Sequence, residues 1–292
     1  MSLPVVAAKK ALGLLKFNLK RIDVHDQSLY RTLYGEDSVK QRRFYNISAG
    51  AYLGFGGGLH HPCWTNIDLD RPWKDVSFTE DDSEYDAKRD IAHDVLSMQP
   101  IPVQSSVAEL VHTRFTIASL TNEAALFMFR EAFRMLKKGG ILRVSTPNIT
   151  LDYRAYLNND MSFFYWFAYD ESISIEQAFL FHVASQLSNI HEDGLPERMT
   201  DAQFRDLLQI HDLETALDIC TAKCSLDIQK KHRQNHINWW TPRKLEALLR
   251  EAGFETVYLS QREQSAAPVL RNTAYFDNED NRFVMYMEAV RT

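Results

Sequence analysis

Three features, met in order along the chain, suit a bound nucleoside. The turn Ser48-Ala49-Gly50 carries a glycine, where backbone can approach a ligand closely. Asp68 ends an apolar and β-branched run, and a carboxylate there accepts hydrogen bonds from both hydroxyls of a ribose. Asp94 comes next, an acceptor suited to the amino group of an adenine. Such ligands bind outside the carboxyl ends of parallel strands, so these residues belong at strand ends. Each one alone is a weak signal, and a strand-end Asp is more often an ordinary solvated or capping residue. Their order and spacing together carry the reading.

The elements that must position them alternate in type. Residues 43–48 read as a first strand running into a glycine-rich loop at 49–58. Residues 64–68 read as a second strand, 92–95 as a short third and 107–112 as a fourth; 82–90 is charged and solvated. The spacing of Ala125, Met128, Phe129, Ala132, Met135 and Leu136 predicts a helix over 122–138, capped by Thr121 or Asn122 and stopped by Gly139-Gly140. A fifth strand at 141–145 is broken by Pro147, a helix at 242–252 is ended by Gly253, and 254–260 and 282–290 close the fold as strands. This alternation predicts an α/β fold with a parallel sheet covered by helices. Residues 151–235 differ, being helical, aromatic and irregular, and the cluster at 163–167 reads as core or cap packing. The expected organisation is an N-terminal helical segment (1–40), a cofactor-binding Rossmann-like core (41–150), a helical insertion or cap (151–235), and a C-terminal helix with closing strands (236–292).

Composition limits the function classes. The chain has 292 residues, 45% of them hydrophobic and 25% charged, enough apolar material for one large core. A net charge of −6 argues against a nucleic-acid partner, which needs a basic face. The three cysteines, Cys63, Cys220 and Cys224, read as reduced thiols of a cytoplasmic protein. His60-His61 with Cys63, and His232 with His236, fall short of a ligand set, so no metal is expected. No run is long and apolar enough to cross a bilayer. Lys9, Lys16 and Lys20 share one helical face and Leu12, Leu15 and Leu19 another. That segment reads as a helix packed on the core; contact with an anionic membrane surface is the other reading. Nothing in the sequence speaks to oligomeric state.

The stretch 130–148, with Leu136-Lys137-Lys138-Gly139-Gly140 leading into Ile141 to Ser145, resembles the post-helix signature of class I S-adenosylmethionine-dependent methyltransferases. Asn66-Ile67-Asp68-Leu69-Asp70 resembles their second-strand motif, and His236-Ile237-Asn238-Trp239-Trp240-Thr241 resembles the tail of a group associated with surface polysaccharide biosynthesis. The resemblance spans roughly residues 42–290 and implies a Rossmann-like seven-stranded sheet whose last strand is antiparallel. It implies S-adenosylmethionine as cofactor. Ser48, Ala49 and Gly50 would approach its methionine part, Asp68 its ribose, and Asp94 with Val95 its adenine, with Leu69 and Thr113 completing the cofactor set.

The implied activity is O-methylation of a small-molecule or glycan acceptor. A hydroxyl acceptor needs a base, and His112 and His236 are the expected catalytic residues. Asn148, Asn235, Trp239 and Trp240 are the expected substrate contacts. Relatives often carry His-x-x-Glu-His after the fourth strand, where this chain has Ala118 and Ser119. That departure favours an alternative, a non-catalytic methyltransferase-fold binding module. A dehydrogenase is the weaker third reading, because the first loop lacks a clean G-x-G-x-x-G running into a helix.

Overall fold

A computed structural model of the protein describes residues 26–50, 59–69, 90–167, 170–190, 194–278 and 282–292. Its strands are β1 (Phe44–Ile47), β2 (Trp64–Asp68), β3 (Ile91–Ala92), β4 (Ala108–Arg114), β5 (Leu136–Pro147), β6 (Thr256–Ser260) and β7 (Val284–Val290). They form one sheet in the order β3-β2-β1-β4-β5-β7-β6. β1 to β5 pair in parallel, while β7 runs antiparallel to both β5 and β6. This is the seven-stranded Rossmann-like sheet with one antiparallel last strand that the resemblance implies. The chain moves outward from β1 through β2 and β3, then returns to β4 on β1's other side. The strand order therefore reverses between β1 and β4, where a doubly wound sheet opens its ligand crevice.

Eight α-helices lie among the described residues: α1 (Gln27–Lys40), α2 (Asn122–Met135), α3 (Ile149–Leu157), α4 (Ile175–Val183), α5 (Asp201–Ile210), α6 (Leu213–Ala222), α7 (Leu226–Lys231) and α8 (Pro242–Glu251). Tyr45, Ile47, Ile67, Val111, Leu142 and Val144 point to one sheet face and bury against Ala125, Met128, Phe129, Ala132 and Met135 of α2 and against Leu245 and Leu249 of α8. Phe44, Trp64, Leu110 and Phe276 bury on the other face with Tyr30 of α1. The period of two along each strand puts these two sets on opposite sides. The insertion has its own core of Phe164, Phe179, Leu180, Phe204, Leu217 and Trp239. Among the described residues between β5 and α8 every α or β element is a helix.

Caps fix the two sheet-covering helices. Thr121 Oγ1 accepts from Ala124 N (3.2 Å) at α2, and Thr241 Oγ1 accepts from Lys244 N (3.1 Å) at α8, with Pro242 at the first turn. α2 stops at Met135, earlier than the sequence spacing predicts, because β5 begins at once. Pairing with β4 jumps from Ala108↔Leu136 to Leu110↔Ile141, so Lys137 to Gly140 bulge out of the ladder. Gly139 there has φ 81°, and a side chain on Gly140 would sit 2.9 Å from the Lys137 carbonyl. β3 is shorter than expected. Asp94 is not in it but caps the 3-10 turn Val95–Ser97, accepting from Leu96 N at 3.0 Å. The basic segment at 9–21 and most of the glycine-rich loop lie outside the described residues. No helix among the described residues is long and apolar enough to cross a membrane.

Candidate functional site

The residues expected to hold a cofactor sit at the carboxyl edge of β1, β2 and β4. Ser48 follows β1 and donates its backbone N–H to the Ile67 carbonyl at 2.9 Å. Gly50 has φ 86°, and a side chain there would meet Leu69 Cδ1 at 2.9 Å and Arg233 Cβ and Cγ at 3.0 Å. Glycine is therefore required twice over at this point, for its backbone and for its neighbours. Asp68 ends β2, is buried, and accepts from Leu69 N at 2.8 Å. Thr113 lies near the end of β4, fully enclosed.

Arg233, from the chain leaving the insertion, crosses this edge. Its Nη1 and Nη2 donate to Asp94 Oδ1 and Oδ2, both at 2.9 Å, a fork-to-fork pair. Burial acts to raise the Asp94 pKa, but the guanidinium more than offsets it and holds the carboxyl below its usual range. The carboxylate expected to meet an adenine is thus engaged within the chain. Leu69 and Arg233 together close over Gly50.

The loop after β4 meets the same segment. Thr116 Oγ1 donates to the Ile47 carbonyl (3.2 Å), which ties this loop to the end of β1. Gln229 Nε2 donates to the carbonyls of Ser119 (3.1 Å) and Asn235 (3.0 Å). The Ala118 carbonyl accepts from the backbone of Ile237 (2.8 Å) and Asn238 (3.1 Å). Ala118 and Ser119 are both buried where this segment meets the loop. Several enclosed polar atoms here have no hydrogen-bond partner: Ser48 Oγ, Thr113 Oγ1, Ser119 Oγ, and both amide atoms of Asn235.

The structure does not bring every expected site residue to this edge. His112 lies within β4, in register with Asn46 and Arg143, two positions before the strand ends. Asn46 Nδ2 donates to Asn66 Oδ1 at 3.0 Å, so Asn46 Oδ1 is the acceptor for His112 Nδ1 at 2.9 Å. The ring packs among Trp64 and Phe276, with centroids at 6.2 and 5.2 Å. Burial, then the charges of Arg114 and Arg143, hold it neutral, well below its ordinary pKa. The sequence puts His112 close to the transferred group; the period of two turns it into the aromatic cluster instead. Asn148 Oδ1 accepts from Thr150 N (3.2 Å) and caps α3. Trp239 Nε1 donates to Asp218 (2.9 Å) in the insertion core, and Trp240 Nε1 to the Ile117 carbonyl (3.0 Å) in the sheet core. The ammonium of Lys244 stands 3.7 Å over the Trp239 ring, and burial lowers its pKa to about 8.

His236 Nδ1 donates to the His182 carbonyl at 2.8 Å, and its backbone N–H to Ser185 Oγ at 2.9 Å. Burial, then the neighbouring His182, lowers its pKa from 6.5 to about 4. In this window the unfolded chain takes up a proton that the native chain refuses. Stability from this group is therefore whole above about pH 6.5 and is lost as pH falls toward about 4. Urea unfolding along that pH range should show a declining midpoint, and His236→Gln should flatten the decline. An equal decline in the variant would move its origin elsewhere.

Sequence reasoning missed Arg233, a lone arginine in a polar run with no motif around it. It also missed Asp152 and His182, thirty residues apart in sequence, whose Oδ1 and Nδ1 lie 2.5 Å apart. Among the described residues no three His, Cys, Asp or Glu side chains gather as a metal site.

No protein-family model matches the sequence, and no curated protein matches it. Solved structures do resemble the fold. One is a methyltransferase from Thermotoga maritima described as a possible histamine N-methyltransferase: 15% identity, 92% of each chain covered, TM-score 0.39. Another is a methyltransferase from Methanosarcina mazei: 10% identity, 85% of this chain and 91% of that one, TM-score 0.42. A third, from Archaeoglobus fulgidus, gives 9% identity, 91% and 94% coverage, and TM-score 0.40. At such identities a likeness extends to the fold alone, and the fold itself rests on the strand order and pairing above.

Proposed function

We propose that this protein is an S-adenosylmethionine-dependent methyltransferase that O-methylates a small-molecule or glycan acceptor. The carrying observation is that the carboxyl edge of β1, β2 and β4 carries Gly50 and Asp68 together with the buried, unpartnered hydroxyls of Ser48 and Thr113. Buried polar atoms without partners are uncommon, and a polar ligand satisfies them. A nucleoside with an amino-acid tail fits this set: Asp68 with Leu69 receives the ribose, and Ser48, Ala49 and Gly50 receive the tail. At the adenine end, beside Val95, the fit requires Asp94 to leave Arg233. When bound, the cofactor supplies an electrophilic methyl group. The chain's own residues bind and orient it, and the segment 233–238 with the helical cap excludes water from the edge. Asn235, buried with an unpartnered amide, is the substrate contact of this reading. The glycan acceptor rests on the family resemblance alone, and the cytoplasmic setting on the reading of the three cysteines as reduced thiols.

A second reading is a non-catalytic binding module, favoured by Leu69 and Arg233 filling the space over Gly50. Calorimetric titration with S-adenosylmethionine and S-adenosylhomocysteine separates the two. Micromolar binding supports the enzyme, and no binding by folded protein at millimolar ligand supports the module. Asp68→Ala should weaken binding by roughly 1.5–3 kcal/mol, the scale of hydrogen bonds to a charged group. Unchanged affinity in a folded variant removes Asp68 from the site.

A further inference from the structure

Asp152 sits in the first turn of α3, directly after β5, and is wholly enclosed. His182 lies near the end of α4, with Nδ1 2.5 Å from Asp152 Oδ1. A carboxylate on Nδ1 fixes that nitrogen as the protonated one and leaves Nε2 as the basic one. Among the described residues Nε2 makes no hydrogen bond, and it is not among the polar atoms sealed from solvent. The ring keeps 7% of its surface open. Around it stand Phe164, Trp166 and Phe283, with centroids at 5.3, 5.0 and 5.8 Å. Trp166 is 44% exposed, unlike its buried neighbour Phe164, and stacks on Tyr165 at 4.2 Å. The sequence reading took this aromatic run as packing; Trp166 is the part of it left open.

This cluster adjoins the candidate cofactor edge. Phe283 stacks at 6.0 Å on Phe115, the residue after β4, and its carbonyl accepts from Asn148 N at the end of β5. His236, joined to the His182 carbonyl, belongs to the segment that docks on Ala118. A partly exposed aromatic face beside an open imidazole nitrogen, at the carboxyl ends of β4 and β5, is a seat for a planar acceptor.

We propose that Asp152 and His182 form a general-base dyad for a phenolic acceptor stacked on Trp166. The inference rests on the methyltransferase reading. The phenol O–H bond breaks, its electron pair stays on oxygen, and the proton passes to His182 Nε2. Asp152, a positioning residue, holds the imidazolium, which later gives the proton to water. The oxygen's pair forms the bond to the methyl carbon as that carbon's bond to the cofactor's sulfonium breaks, its pair staying on sulfur. Proton strength selects the acceptor class. A phenol near pKa 10 gives up its proton about 6 pK units more readily than an aliphatic hydroxyl as weak as water.

The test uses the full chain, methyl-labelled S-adenosylmethionine, and two probes: phenol, and 4-nitrophenol at a mildly alkaline pH where it is already ionised. His182→Gln should lower transfer to phenol by about 10²–10⁴-fold, the range of general-base catalysis. Transfer to ionised 4-nitrophenol should fall less than about tenfold in the same variant, since no proton remains to be removed. Asp152→Asn should show the same dependence on acceptor, and the exposed Trp166→Ala should raise KM for both probes. S-adenosylhomocysteine affinity should stay unchanged in all three, which also reports folding. Equal loss on both probes, no loss on phenol, or transfer to a methyl glycoside but to neither phenol overturns the dyad. Wild-type protein that binds S-adenosylhomocysteine but methylates neither probe overturns this inference alone. Wild-type protein that does not bind it overturns the methyltransferase reading beneath.

Discussion

Arg233→Ala should tighten S-adenosylhomocysteine binding by about ten- to a hundredfold. Both oxygens of Asp94 are held by Arg233 at 2.9 Å, and the arginine stem lies against Gly50. On the proposed methyltransferase reading, a cofactor entering this edge separates that pair and moves the stem. Hydrogen bonds to charged groups contribute about 1.5–3 kcal/mol each way they are counted, and each 1.4 kcal/mol is tenfold in affinity. With the guanidinium gone, both Asp94 oxygens are released from the arginine before the ligand arrives, while Oδ1 still accepts from Leu96 N. The variant also loses the Arg233 Nε bond to the Lys230 carbonyl (3.0 Å), so a somewhat lower melting temperature should accompany the gain. Calorimetric titration of both proteins gives the answer. Weaker binding in a folded variant would place Arg233 among the groups that hold the cofactor. Equal affinity would mean that the pair stays closed in the complex.

Arg143→Met should destabilise the fold by about 3–5 kcal/mol, the usual loss when one member of a buried ionic cluster is removed. Arg143 is wholly enclosed in β5, yet all five of its N–H groups have partners. Nε and Nη2 donate to the two oxygens of Asp277 (3.0 and 2.6 Å). Nη1 donates to Glu288 Oε1 (2.9 Å) and Ser260 Oγ (3.1 Å), and Nη2 also to the Gln261 carbonyl (2.9 Å). The Tyr286 ring lies 5.0 Å from the guanidinium carbon. Removing the cation leaves two buried carboxylates facing each other in a low-dielectric space. Adding Asp277→Asn and Glu288→Gln to Arg143→Met should recover most of the loss, because no uncompensated charge then remains. Urea denaturation of the three proteins measures both steps. A loss below about 1 kcal/mol for the single variant would mean that water reaches the cluster.

The legible parts of the fold are the ones with a local cause. The period of apolar residues in α2, the threonine cap of α2, and the runs that became β1, β2, β4, β6 and β7 need only neighbours in sequence. The errors there are of boundary. The bulge at Lys137 to Gly140 depends on where β4 lies, which no local pattern encodes, so α2 ends early and β5 begins early. The candidate site divides in the same way. Ser48, Gly50 and Asp68 stand at the sheet edge because strand ends put them there. His112 is in the right strand but on the face fixed by the strand's period of two, and there it packs between Trp64 and Phe276.

The seven-stranded sheet with its antiparallel last strand was implied by the family resemblance; the sequence by itself determined the alternation of strands with covering helices and the residues that end the strands. Those follow from periodicity, caps and glycine, which act over a few residues. Only the tertiary structure decided who stands beside those residues. Arg233 and Asp94 are 139 positions apart, Arg143 and Glu288 are 145 apart, and Asp152 and His182 are 30 apart. Contacts at such separations are selected by the whole fold, through the packing that brings the segments together and the desolvation that makes an unpaired charge too costly to leave.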